Sequence, residues 1–174
     1  MRRRTAILSL VAGAAALGAG GAAVALRPRA HPHLALDPMI DRLTGLRADA
    51  VETASAWDVA RTFNHLAQGV EFSMSAYPEL KSGLFRHTVG PAALRVFRAR
   101  GAMRHDTGAV IPGEALDATT PDAARQRLIE SLIAFRDWEA PLSPHFAYGA
   151  LDKAAYAEAH AMHVHDHLIG FRAA

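Results

Sequence analysis

The chain has no cysteine among its 174 residues. Disulfides, thiolate metal ligands, a cysteine nucleophile and a lipoprotein anchor are therefore excluded. It carries no Ser/His/Asp motif, no Walker loop and no dinucleotide fingerprint. It has no internal repeat, and no segment shows the apolar/polar alternation of a strand. The length suits one domain with a single core. The hydrophobic share, 51%, is inflated by alanine. What the chain does have is ten histidines, and their placement carries most of what can be read about function.

The first 30 residues differ from the rest. Arg2, Arg3 and Arg4 precede an uncharged, Ala/Gly-rich run over residues 5–26. A basic start, an apolar run and small residues near its end form an export signal. Ala23-Val24-Ala25 offers a cleavage site, and Arg3-Arg4-Thr5-Ala6-Ile7-Leu8 resembles a twin-arginine leader. The expectation is an exported protein, periplasmic or extracellular, with residues 1–30 as signal and linker and 31–174 as the folded domain. An uncleaved leader would instead anchor the chain, since the run is long enough to span a bilayer. The leader also explains the net charge of +2. Removing Arg2, Arg3, Arg4, Arg27 and Arg29 from the 19 basic residues leaves 14 against 17 acidic. The mature domain has no Lys/Arg-rich stripe, so nucleic acid is not an expected partner. After cleavage no membrane contact is expected either.

Local signals divide the domain into helices. Asp37-Pro38 reads as a cap before a first-turn proline, with a helix running to about residue 50. Ser55-Ala-Trp-Asp58 reads as a capping box. Behind it Val59, Phe63, Leu66, Val70 and Met74 recur at helical spacing until Pro78. Residues 79–118 give helical pieces around Leu84, Val89, Leu94 and Phe97, with Gly90-Pro91 breaking any long helix. Residues 101–119 read as loop. Thr120-Pro121-Asp122 opens a helix with Leu128, Leu132 and Phe135 facing inward. Asp152 caps a last helix reaching about Gly170. The predicted fold is all-α, a bundle of about four main helices.

On the last helix Tyr156, His160, His163, His167 and Phe171 form one stripe. His163 and His167, four apart, are neighbours on a helix face, ~6 Å apart at Cβ. Two imidazoles so placed can reach one divalent ion. A third ligand must come from a facing helix. His65 is the only histidine on the helix behind Ser55 and borders its core stripe. Its alternative is a buried histidine satisfied by a carboxylate or a carbonyl. His160 lies on the same stripe and could close the site as a fourth ligand. His165 points the other way, toward solvent.

Three segments resemble the DinB-like (DinB/YfiT) metalloenzyme superfamily. Ser55-Ala-Trp-Asp-Val-Ala-Arg-Thr-Phe-Asn-His-Leu-Ala67 is similar to a helix with Trp near its start and a His-Leu motif. His145-Phe-Ala-Tyr-Gly-Ala-Leu-Asp152 is similar to a loop of type H-P-x-F-G-x-L-T. His163-Val-His-Asp-His-Leu-Ile-Gly-Phe171 is similar to H-x-x-x-H-L-x-x-F. The likeness covers residue 37 to the end. It departs from the pattern at the missing proline after His145, at Asp166 and at Tyr156. It implies a four-helix bundle with a long loop or broken helix between the second and third main helices. It also implies a divalent metal held by His65, His163 and His167, zinc first, with nickel and iron as alternatives.

Three neutral histidines leave a coordination position open for water or a substrate thiolate. The resemblance implies a metal-dependent transferase, including thiol-dependent transfer and isomerisation. A hydrolase is equally open, acting on a small molecule the sequence does not name. The competing expectation is a non-catalytic metal-binding or structural bundle with a closed site. Asp58 could serve as base but has a capping role. Asp166 could orient a histidine. Asn64 and Gln68 are expected at the surface, and His145 at the site mouth or in loop packing. His31, His33, His87 and His105 lie in segments that define no face. A homodimer through a bundle face is compatible with the sequence but not required by it.

Overall fold

Side-chain caps set the starts of the three longest helices among the described residues. The Asp58 carboxylate accepts from the Arg61 N–H at 2.7 Å, and Thr120 Oγ1 from Ala123 at 3.3 Å. Asp152 accepts from Ala155 at 2.7 Å. Each satisfies one of the orphan donors of a first turn, an effect of about 1 kcal/mol. The computed structural model describes residues 31–116 and 119–174, so the expected leader, residues 1–30, lies outside the described residues. Among the described residues the α-helices are α1 (Leu36–Thr44), α2 (Val59–Met74), α3 (Gly83–His87), α4 (Val89–Arg100), α5 (Pro121–Asp137) and α6 (Lys153–Leu168). The protein is mostly helical, and the arrangement is compatible with a helical bundle. Among the described residues no helix is long and apolar enough to cross a membrane.

The main core lies between α1, α2, α5 and α6. Met39, Leu43, Phe63, Leu66, Leu128, Leu132, Phe135 and Tyr156 are all buried there. Contacts are densest between α2 and α5. A second cluster, with Leu34, Leu94, Met103, Ala161 and Met162, joins α4 and the following loop to the other side of α6. Helix α6 is therefore covered on two sides. Its histidines lie where the packing of both clusters meets.

Several local expectations give way to tertiary structure. Helix α1 ends at Thr44, before the expected residue 50. The chain continues through a 3-10 turn, Ala48–Ala50, into strand β1 (Val51–Thr53). β1 pairs antiparallel with β2 (Phe171–Ala173), Thr53 opposite Phe171 and Val51 opposite Ala173. Three-residue strands are too short for alternation to register. Phe171 thus leaves the α6 stripe, packing its ring 5.3 Å from Phe63. Ser55 does not cap α2. Its Oγ accepts from the Trp57 N–H at 3.2 Å, making a local turn ahead of Asp58. As expected, no long helix runs through Gly90-Pro91: α3 ends at His87, Thr88 leaves the helical conformation, and the proline falls in the first turn of α4, where its missing N–H is tolerated. A Cβ at Gly90 would stand 1.9 Å from the Ala147 carbonyl oxygen, so only glycine lets the 145–149 loop lie against α4. Gly101 ends α4 at φ 65° and turns the chain into the loop.

Candidate metal centre

Helix α6 places His163 and His167 one turn apart, their ring centroids separated by 4.9 Å. Helix α2 brings His65 across from them, 5.2 and 5.3 Å from the two rings. One nitrogen from each of the three lies within 4.8 Å of the others. His65 Nε2 and His163 Nε2 are 3.4 Å apart. His65 and His167 are buried, and His163 is partly exposed. Burial pushes the His163 imidazole well below its usual pKa, and neighbouring histidines add to the shift. Burial, with His65 and His105 nearby, lowers His167 to about 3. Both are neutral at pH 7, the state in which imidazole ligates a metal.

The donor set fits a divalent cation on three counts. Two nitrogens bound at ~2.05 Å to one tetrahedral ion stand ~3.3 Å apart, close to the His65–His163 separation. His167 Nε2 is buried with no hydrogen-bond partner, a loss of about 1–3 kcal/mol that a metal bond would remove. Finally, His65 Nδ1 lies 2.8 Å from Glu114 Oε2, and both side chains are only 2% exposed. A carboxylate only accepts, so Nδ1 carries the hydrogen and Nε2 is the nitrogen turned toward the triad. Carboxylate–histidine pairs of this kind fix ligand tautomer and raise ligand basicity. The other Glu114 oxygen is buried without a partner, which favours a positive charge nearby.

Glu114 escaped the sequence reading because its loop has no periodicity. Two α2 side chains hold that loop in place. Gln68 Nε2 donates to the Ala115 carbonyl at 2.8 Å, and Asn64 Nδ2 to Thr119 Oγ1 at 2.8 Å. Arg127 donates to Asn64 Oδ1 at 3.1 Å and pairs with Glu71. Asn64 and Gln68, expected at the surface, are in fact buried. They face the loop because residues 111–116 fold back over α2. His105 also escaped. Its ring lies 4.8 Å from His163 and 5.1 Å from His167, and its Nδ1 lies 2.9 Å from Asp166 Oδ2. Asp166 does orient a histidine, but one brought from the 101–119 loop. Trp57 covers the cluster, edge-on to His65 at 4.9 Å and stacked near His167 at 6.5 Å.

The other candidates fall outside the triad. His160 Nε2 lies 3.2 Å from Ser73 Oγ, with its ring stacked on Tyr156 and edge-on to Phe135. Neither it nor His105 belongs to the group of three that could hold a metal. His165 is half-buried rather than fully solvated, beside Arg42 Nη1 at 3.2 Å and 5.8 Å from the His33 ring. Asp58 caps α2. His145 does both things expected of it. Its Nδ1 accepts from the N–H groups of Ala147 and Tyr148 at 3.0 and 3.1 Å, and its ring lines a cavity beside the triad. His31, His33 and His87 are away from the cluster.

A family model described as "Protein of unknown function (DUF1569)" matches residues 27–173. The chain belongs to the DUF1569 family. No curated protein and no solved structure matches it. The match covers every described helix of this DUF1569 chain and all three triad histidines.

Proposed function

We propose that this DUF1569 protein is an exported, DinB-like metal-binding four-helix bundle. Its divalent ion would be held by His65, His163 and His167, and its activity would be that of a metal-dependent transferase or hydrolase. The observation that carries the reading is the orphaned, buried His167 Nε2 beside a His65–His163 nitrogen pair set at 3.4 Å. Zinc is the first choice, with nickel or iron as alternatives. When bound, the metal would supply Lewis-acid activation of a water or thiolate. The chain's own residues do the rest. Glu114 holds the His65 tautomer, Trp57 shields the triad, and His105, held by Asp166, stands where a departing proton could be received. The Arg-led, Ala/Gly-rich start supports export. The twin-arginine route carries folded proteins, so a metal could be acquired first.

The second reading is a closed, non-catalytic site. Its fourth ligand would be His105 rather than His160, because the His105 ring stands as near two triad rings as they stand to each other. Elemental analysis of the untagged full chain beside His163→Ala tests the metal. One metal per chain, lost in the variant, is expected. No metal after reconstitution with zinc, nickel or iron overturns both readings. In the cobalt-substituted protein azide should shift the visible spectrum if a position is open. A closed site would respond to azide only in His105→Ala.

A further inference from the structure

One face of the triad borders a cavity of about 240 Å³. His65, His105 and His163 stand on its wall. The remaining lining is largely apolar and aromatic, including Met103, Ile111, Phe146, Tyr148 and Ala159. The volume exceeds the ~150 Å³ that suffices to hold benzene. It is below the ~300–1,000 Å³ of pockets for drug-sized ligands. A single ring or a short branched chain fills such a space.

The wall offers few polar groups. The Tyr77 hydroxyl is used on the Gly69 carbonyl at 3.1 Å. Tyr148 Oη stands 3.9 Å from Met103 Sδ. His160 is engaged with Ser73, and burial holds it neutral. His145 is also kept neutral by burial. Because its Nδ1 accepts two backbone N–H groups, its proton is on Nε2. Apart from the histidines at the metal face, that leaves the His145 Nε2–H as a donor on a largely apolar wall. Lys81 and Asp106 belong to the lining but are exposed, so they mark the rim. A charged ligand body would be desolvated here without a partner. The charge such a cavity can take is that of a head group placed against the metal.

We propose that this cavity is the substrate pocket of the metal centre and takes a small, uncharged, mainly apolar body bearing one metal-binding oxygen or sulfur. The proposal rests on the metal reading above and narrows it to a substrate class. Multiply charged thiol cofactors would have to keep their charged ends outside the cavity.

The test uses the untagged full chain reconstituted with zinc and titrated calorimetrically with acetohydroxamate and benzohydroxamate. The two probes share a metal-binding head and differ in the apolar body. Benzohydroxamate should bind at least tenfold more tightly, and the zinc-free protein should bind neither. Ala159→Phe, which fills the cavity from α6, should retain zinc and lose the preference. The wild-type pair of titrations stands alone if that variant fails to fold. Retained zinc with equal affinity for the two probes overturns the substrate class and leaves the metal reading intact. Failure to retain zinc overturns the metal reading and this inference with it.

Discussion

Glu114→Gln separates a metal site from a simple buried ion pair. The side chain keeps its size, and its amide oxygen can still accept from His65 Nδ1 across the 2.8 Å now spanned by the carboxylate. Only the charge is lost, at a position 2% exposed. Losing such a partner of a ligating histidine typically lowers metal affinity 10–100-fold, or about 1.4–2.7 kcal/mol. The stabilisation that saturating zinc confers on the fold should shrink by the same amount. If the pair existed only as an ion pair in a metal-free core, breaking it would cost about 3–5 kcal/mol. That loss would be the same with and without zinc. Competition of the protein against a chromophoric zinc chelator gives the affinity directly. Urea unfolding with and without zinc closes the cycle. An unchanged zinc affinity in Glu114→Gln would refute the assignment of Glu114 to the metal centre.

Acid should destabilise the fold through its buried histidines. His145 and His160 each lie at about 3 against an ordinary 6.5, because burial penalises the charged ring. Their stabilisation is complete above 6.5 and is lost as pH falls toward 3, by about 1.4 kcal/mol per pH unit for each. His160→Gln should remove about 1.4 kcal/mol per unit from the slope of unfolding free energy below pH 6.5; an unchanged slope would show that His160 is not its source. Gly90→Ala should lower stability by about 1–3 kcal/mol, as overpacking does, and disturb the 145–149 loop; a variant melting like the wild type would contradict the close approach to Ala147. Leu132→Ala, at a fully buried core position, should cost about 2–5 kcal/mol in urea with an unchanged m-value. A loss under about 1 kcal/mol would mean the core between α2 and α5 is looser than its packing indicates.

The sequence by itself determined what depends on neighbours a few residues away. Thr120-Pro121 and Asp152 marked helix starts because capping is settled within one turn. The capping-box reading of Ser55-Ala-Trp-Asp58 made Ser55 the cap, whereas Asp58 is the cap and Ser55 forms a local turn, since a local turn and a capping box use the same residue types. The apolar stripe from Val59 to Val70 predicted a core face that is buried. His163 and His167 were legible as a pair because helical spacing alone brings them together. Their partnership with His65, across two helices, came from the family resemblance and the need for a facing donor. Only the tertiary structure decided the rest. Glu114 and His105 enter the centre from a loop whose conformation is imposed from outside by Gln68, Asn64 and Asp166. No periodic pattern encodes such contacts. The same holds for β1 and β2, which exist because the segment between α1 and α2 meets the residues after α6, and for the cavity, which no single segment encloses. His160 shows the limit most plainly. It lies on the metal stripe by spacing, yet Ser73 and two aromatic rings, reached only by folding, turn it into a core residue.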